Sequence, residues 1–386
     1  MIRRSLLLLL AVAGGDRPAS TQRVAAFGAI DAAIEDGIRL GTYPAAVVVV
    51  GRRDTVLYAK GYGHFTWNHG SRRPDPATTL WDIASLSKVV ATASEIARMV
   101  ERGQLDLEAP VDRYLSEFRG TAKERVTLRM LLDHTSGLPP YSELYRGRPT
   151  ISAARTKLLS IPLVRAPGAS ALYSDLNAML AALVVERVAG APFADVTRRD
   201  VFEPLAMRET FWQPPSADNS RVAPTGRFAG HPISGTVNDA NARALGGVAG
   251  HAGVFSTGLD LAHFSQAWLR VLVDPGATGW LRPVTALRFS ARAPRTGTRA
   301  LGWDTPNLNP EDGKPALYGR CATSTTLGHT GWTGTLIWLD PAADLFVVLL
   351  TNRSFAPRSA KRSFEQIREV RARVSDAARR AVGGKC

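Results

Sequence analysis

The sequence predicts an α+β fold, in which an antiparallel sheet is flanked by helices and a second, mostly helical lobe lies between the two ends of the sheet. Three features carry this expectation. Strand pairs with short polar turns stand near both ends of the chain. A long helical pattern accompanies each pair. The stretch from about 105 to 245 is rich in proline and short helical segments, with weak strand signals. One folded unit is therefore expected over 21–385. Its sheet-bearing lobe takes about 21–90 and 255–385, and its helical lobe about 91–254. A cleft between the lobes is the default place for a site.

The elements follow in order. Residues 1–13 read MIRRSLLLLLAVA: Arg3 and Arg4 give a positive start, Leu6 to Val12 a short apolar core, and Ala11-Val12-Ala13 a small-x-small form. A signal peptide over about 1–20 is expected, and with it an exported, periplasmic or extracellular protein. The other reading is an apolar start to the first helix. Residues 22–40 place Val24, Phe27, Ile30, Ala33, Ile34 and Ile38 at helical spacing, with Gly41 as a stop. Ala45–Val50 and Thr55–Tyr62 flank Gly51-Arg52-Arg53-Asp54 as a hairpin. Ser85 to Glu101 reads as one helix with a Val/Ala/Ile/Met face. Thr333–Leu339 and Leu345–Thr351 flank Asp340-Pro341-Ala342-Ala343 as a second hairpin. A helix over about 361–381 closes the chain.

Composition narrows the function. In 386 residues, 45% hydrophobic and 21% charged residues suit a globular protein and argue against disorder, collagen or coiled coil. No apolar run approaches the roughly 20 residues of a membrane-spanning helix. Cys321 and Cys386 are too few for a disulfide scaffold or a cysteine-rich zinc site, and they pair only if the tail folds back. The net charge is +14, but the arginines are spread and interleaved with acids. The one concentration, KRSFEQIREVRARVSDAARR, reads as a solvated helix face, and no nucleic-acid-binding pattern accompanies it. Gly-x-Ser-x-Gly, His-Glu-x-x-His, P-loop and Gly-x-Gly-x-x-Gly patterns are all missing.

Three stretches bear chemistry. In Ser85-Leu86-Ser87-Lys88 the three-residue offset puts Ser85 and Lys88 on one helix face. Ser85 at a helix start meets free N–H groups that favour negative charge. A buried Lys88 would have its pKa lowered and would take the serine proton. Tyr173-Ser174-Asp175 offers Tyr173 as a second base, pushed toward phenolate by a neighbouring ammonium. Gly328-His329-Thr330-Gly331-Trp332-Thr333-Gly334 is a glycine-rich strand start that lets substrate approach the backbone. There His329 would meet a carboxylate, and backbone N–H groups would form half an oxyanion hole.

In order and rough separation these stretches resemble the motifs of the penicillin-recognising serine hydrolases: class C β-lactamases, D-alanyl-D-alanine carboxypeptidases and related esterases. Ser85-x-x-Lys88, Tyr173-x-Asp175 and His329-Thr330-Gly331 are similar to the first, second and third motifs. Leu131-Leu132-Asp133-His134-Thr135-Ser136-Gly137-Leu138 and Gly246-Gly247-Val248-Ala249-Gly250-His251-Ala252-Gly253-Val254-Phe255-Ser256-Thr257 support them. The likeness runs from about 25 to 380. It implies the β-lactamase/transpeptidase-like fold and an acyl-enzyme on Ser85 assisted by Lys88 and Tyr173. It further implies oxyanion binding by the N–H groups of Ser85 and Trp332, with substrate binding by Asp175, His329, Thr330 and Gly331. No metal or organic cofactor is implied. The substrates would be small esters or amides, β-lactams or cell-wall peptides.

Two departures bear on the substrate. Asp175 stands where many members have asparagine. An ionised aspartate only accepts hydrogen bonds, so it would favour charged Lys88 and move the base role to Tyr173. His329 stands where lysine is common, and histidine attracts a carboxylate only when protonated. Both weaken the case for a potent β-lactamase, and Trp332-Thr333-Gly334 resembles an element of the related esterases. The expected function is a serine esterase or amidase, with a β-lactamase or D,D-carboxypeptidase as the alternative. The intact Ser85, Lys88 and Tyr173 set disfavours a third reading, a non-catalytic penicillin-binding-like module.

Overall fold

The computed structural model describes residues 26–228, 230–292, 296–307, 318–355 and 363–386. The expected signal peptide at 1–20 lies outside the described residues. Strands β1 (Ala45–Arg52), β2 (Thr55–Gly63), β3 (Leu327–Thr330), β4 (Leu336–Asp340) and β5 (Leu345–Thr351) form an antiparallel sheet in the order β2-β1-β5-β4-β3. Two hairpins far apart in sequence thus join through β1 and β5, where Val48 faces Leu349.

β1 and β5 are apolar at successive positions because both faces of the sheet are covered. Ala46, Val48 and Val50 pack with Ile30 and Ile34 of helix α1 (Gly28–Arg39). Helix α5 (Ser363–Ala381) adds Ile367, Val370 and Val374 to that face. On the other face Val47 and Val49 meet helix α4 (Gly258–Val273), which carries Leu261, Phe264 and Trp268. Each such side chain, fully buried, stabilises the fold by roughly 1.5–3 kcal/mol.

The region between the hairpins is mostly helical. There helix α3 (Asp175–Ala189) ends at Gly190 in the left-handed conformation that favours glycine. A small ribbon, Gly226–Phe228 with His231–Ile233, has no counterpart in the sequence reading.

Two expected elements differ in form. The single helix from Ser85 to Glu101 is instead a tight turn over Ala84–Leu86, a wide π turn over Lys88–Ala93, and helix α2 (Ser94–Glu101). The Ser94 hydroxyl donates to the Val89 carbonyl (2.7 Å), and Thr92 Oγ1 donates to Gly250 O (2.7 Å). Hydroxyls that claim backbone carbonyls in this way disturb regular α-helix bonding. The strand expected from Thr333 begins only at Leu336. Thr333 and Thr335 instead turn their hydroxyls onto the carbonyls of Asp82 (2.8 Å) and Ile83 (3.0 Å). Among the described residues no helix is long and apolar enough to cross a membrane. Cys321 and Cys386 form a disulfide, and the Cys321 N–H donates to Asp376 Oδ1 of α5 (2.9 Å).

Candidate active site

Ser85 is presented by a strained turn. Trp81–Asp82 pairs with Phe255–Ser256, and the chain then bends through Ala84, whose φ is 48°. That left-handed conformation costs a non-glycine residue about 1–2 kcal/mol. Asp82 holds the bend: Oδ1 accepts from the Ala84 N–H (2.9 Å) and Oδ2 from the Asn238 N–H (2.7 Å). Burial pushes the Asp82 carboxyl up to about 6. The turn after β3 closes on the same bend. A Cβ on Gly331 would lie 2.2 Å from Thr335 Oγ1 and 2.6 Å from Ile83 O, so only glycine permits that approach.

Lys88 lies beneath Ser85, its side chain 3% exposed. Its ammonium donates to Ser85 Oγ (2.9 Å), Asp175 Oδ1 (2.7 Å) and His251 O (3.3 Å). All three protons are thereby engaged. Burial works to lower the Lys88 pKa, as the sequence suggests, but the Asp175 carboxylate and Tyr173 overrule it. The group is held above the ordinary lysine value and is an ammonium at neutral pH. These partners favour the charged form argued from Asp175 over a neutral lysine base.

Tyr173 and Asp175 sit where the chain enters α3. The stretch around His134 holds them there. His134 Nδ1 accepts from the Ser174 N–H (3.2 Å) and lies 3.1 Å from Asn177 Nδ2, and Ser174 Oγ donates to Pro139 O (2.6 Å). Burial, with Arg299 and Lys88 nearby, holds the His134 pKa well below the histidine range. The neutral ring can then serve as an acceptor. Two cations face the Tyr173 ring: Lys88 Nζ lies 5.0 Å from its centroid and the Arg299 guanidinium 4.9 Å.

His329, on β3, lies beside this ring, with centroids 6.1 Å apart. Its Nδ1 lies 3.0 Å from Thr330 O, which assigns the ring hydrogen to Nδ1 and leaves Nε2 as an acceptor with no partner among the described residues. Burial, then Lys88 and Arg299, holds its pKa well below 6.5. These surroundings favour the neutral ring over the imidazolium. Beyond it, the Trp332 carbonyl accepts from Arg353 Nε (3.0 Å) and the Gly331 carbonyl from Arg371 Nη2 (2.7 Å). The Trp332 N–H has no backbone acceptor among the described residues. The Ser85 N–H lies in a first helical turn, where amides lack an intrahelical partner.

The cleft has a volume of about 590 Å³. Ser85, Tyr173, Asp175, His329, Thr330, Gly331 and Trp332 all line it. With Lys88 under Ser85, every site residue expected from sequence is gathered in one place. Sequence reasoning missed Tyr141, Asp239 and Arg299, which also line the cleft, and quoted His251 without giving it a role. His251 Nε2 lies 2.9 Å from Asp239 Oδ1, which also accepts from the Ala242 N–H (2.7 Å). Burial works against Asp239 ionising, yet His251 and that N–H pull its carboxyl down to about 2. The position of His251 inside the Gly246–Thr257 stretch was the one available signal.

The chain is similar to known proteins. The beta-lactamase family model matches residues 30–372. The N-acetylmuramyl-L-alanine amidase of Bacillus subtilis (strain 168) is 31% identical over 365 residues, covering 85% of this chain and 81% of the relative. EstCE1, a hydrolase with promiscuous acyltransferase activity, matches with a TM-score of 0.70 at 23% identity, over 91% of this chain and 100% of its own. The D-alanine carboxypeptidase AmpC from Burkholderia cenocepacia matches with a TM-score of 0.69 at 22% identity, over 91% and 98%. At such identities the two structures speak for the fold alone. The family model and the amidase go further: this chain belongs to the beta-lactamase family and is a serine hydrolase of the type that spans class C beta-lactamases, D-alanyl-D-alanine carboxypeptidases and related esterases.

Proposed function

We propose that the protein is an exported esterase or amidase that cleaves small carboxyl esters or cell-wall peptide amides through an acyl-enzyme on Ser85. The observation that carries this reading is the shared Lys88 ammonium, 2.9 Å from Ser85 Oγ and 2.7 Å from Asp175 Oδ1. A charged lysine positions the serine and favours negative charge on its oxygen, but it has no lone pair to take a proton. Tyr173 then takes that role. Ser85 Oγ attacks the carbonyl carbon as its proton passes to the Tyr173 oxygen, with the Lys88 and Arg299 charges offsetting the negative charge there. The N–H groups of Ser85 and Trp332 hold the oxyanion. As the C–O or C–N bond breaks, Tyr173 returns the proton to the leaving group. Water then adds to the acyl-enzyme, giving its proton to Tyr173, and Ser85 regains a proton as the acid departs.

Asp175 favours this reading over a β-lactamase. Its carboxylate is bonded to Lys88 and offers no donor to a substrate amide carbonyl. The amidase relative supports a cell-wall amide as substrate. Export is supported by the leader-like first residues and by the Cys321–Cys386 disulfide, a bond that persists in oxidising compartments.

The test is parallel initial rates on a short-chain p-nitrophenyl ester, N-acetylmuramyl-L-alanine and a chromogenic cephalosporin, with Ser85→Ala as the blank. Turnover of the ester or muramyl amide is expected to fall at least about 10³-fold in Ser85→Ala. Wild-type rates in that variant would refute the acyl-enzyme. Cephalosporin turnover faster than both would make the protein a β-lactamase.

A further inference from the structure

Tryptophan buries more apolar surface than any other side chain, and seven of this chain's eight tryptophans are buried or half-buried. The eighth, Trp332, is 60% exposed. It lines the cleft that holds Ser85. Phe364, at the start of α5 and 51% exposed, lines it too, with its ring centroid 6.4 Å from that of Trp332. Neither ring belongs to the packed core on either face of the sheet. The exposed Tyr141 adds a third aromatic ring to the cleft lining.

The aromatic pair is held rigidly. Trp332 stands in a tight turn closed by the Gly334 N–H on Gly331 O (3.0 Å), and Thr333 Oγ1 pins that turn to Asp82 O (2.8 Å). The buried Arg353 donates from Nε to Trp332 O (3.0 Å). Its guanidinium lies 4.6 Å from the Trp332 ring centroid and 5.7 Å from that of Phe364. One buried cation thus steadies both rings, and the ring surface it leaves uncovered faces solvent at a catalytic cleft. Fixed aromatic surface of this kind marks a place where ligand packs.

The neighbours of the rings are polar. Arg368, one turn along α5 from Phe364, lines the cleft, as do Asn238 and Asp239. Asp239 Oδ1 takes the hydrogen bonds from His251 and the Ala242 N–H, which leaves Oδ2 without a partner among the described residues. A flat aromatic ligand would cover the rings and satisfy none of these groups. A pyranose suits both, since its face presents C–H bonds and its edge carries hydroxyls that donate and accept.

We propose that Trp332 and Phe364 form a sugar-binding subsite, on which the ring of an N-acetylated amino sugar in the acyl part of the substrate packs. This inference rests on the cell-wall amide reading above and names the group that is recognised. In N-acetylmuramyl-L-alanine three bonds, through the lactyl ether, separate the sugar ring from the scissile carbonyl carbon. Three bonds likewise separate the Trp332 indole from the main-chain N–H that holds the oxygen of that carbonyl. Seating the oxygen in the oxyanion hole therefore gives the sugar the same reach as the indole.

The test compares N-acetylmuramyl-L-alanine with N-(2-methoxypropanoyl)-L-alanine, the same amide without its sugar, in the wild type, Phe364→Ala, Trp332→Ala and Trp332→Tyr. The preference for the sugar in kcat/KM is expected to fall about 10-fold in Phe364→Ala and about 10- to 100-fold in Trp332→Ala. Most of the change should fall in KM, and Trp332→Tyr should restore part of it. The sugarless amide is the internal control, because disturbing the oxyanion hole slows both amides alike. An unchanged preference with parallel losses on both amides would overturn the proposal. Binding of N-acetylmuramic acid against 2-methoxypropanoate and 2-phenoxypropanoate, titrated by NMR in Ser85→Ala with and without Phe364→Ala, decides the matter without turnover. N-acetylmuramic acid should bind most tightly, and Phe364→Ala should weaken it alone. If the wild type cleaves neither amide, the cell-wall amide reading fails while this titration still reports on the aromatic pair. Equal binding of the three probes, binding of none at millimolar concentration, or tighter binding of the phenoxy probe would overturn the sugar subsite.

Discussion

Replacing Asp175 by asparagine removes the counter-charge of a buried ammonium while keeping the side chain's shape. The Lys88–Asp175 contact is 2.7 Å, with Lys88 3% and Asp175 22% exposed. At an effective dielectric of about 20, two unit charges some 4 Å apart attract by about 4 kcal/mol. The asparagine oxygen still accepts from Lys88, and solvent reaches one partner, so about 2–3 kcal/mol should be lost at neutral pH. The pH dependence gives the sharper signature. In the wild type the folded Lys88 pKa lies above its unfolded value, so this stabilisation is complete below the unfolded lysine pKa and disappears as pH rises through the folded one. In Asp175→Asn burial acts on Lys88 with no opposing carboxylate and depresses its folded pKa. The stability gap between the two proteins should be full at neutral pH. It should close progressively as pH rises from the variant's folded lysine pKa to the wild type's. Urea denaturation across that range measures it. A variant as stable as the wild type at neutral pH, or a gap that stays constant into strong alkali, would refute the picture of Asp175 as the anchor of a charged Lys88.

Other perturbations read other parts of the molecule. His329→Ala should lower kcat/KM for phenyl acetate and 3-carboxyphenyl acetate by factors within about twofold of each other, because a neutral ring has no charge to lose. A selective loss on the carboxylated ester would show that His329 is protonated when substrate is bound. Glu95, buried in α2 with neither carboxylate oxygen hydrogen-bonded among the described residues, has its carboxyl pushed up to about 8 by burial, with Asp200 adding to the shift. Its folded pKa exceeds the ordinary 4.5, so stability should decline as pH rises from there through about 8. Glu95→Gln should flatten that decline in denaturation midpoints. Cys321→Ser opens a loop of sequence separation 65 and should cost about 4 kcal/mol on the chain-entropy account, read as a lowered urea midpoint. An unchanged midpoint would mean that packing of α5 alone holds the tail.

What the sequence discloses and what it hides divide along the range of the interactions involved. The run Ala45–Val50 reads as a strand, and the fold covers both its faces and those of β5, while β2 at the sheet edge stays largely exposed. The three-residue spacing of Ser85 and Lys88 survives even though the segment is not a regular helix, because one turn of any helical form brings the two together. The π turn itself was not legible: it coincides with the Ser94 hydroxyl bonding back to the Val89 carbonyl five residues earlier and the Thr92 hydroxyl reaching the distant Gly250 carbonyl. Charge states were less legible still. Lys88 is buried, which by itself argues for a neutral amine, and the arrival of Tyr173 and of Asp175, the latter from 87 residues away, reverses the sign. For His329, burial first, and then Lys88 and Arg299 beside it, disfavour the positive charge. Arg299 lies in no motif, and nothing in its local sequence sets it apart from the chain's many other arginines. Its cavity position depends on Asp304 pairing with Gly328, a contact made across the sheet edge. The motif residues locate the chemistry, while the charges that select a substrate are set by which side chains the fold brings against them.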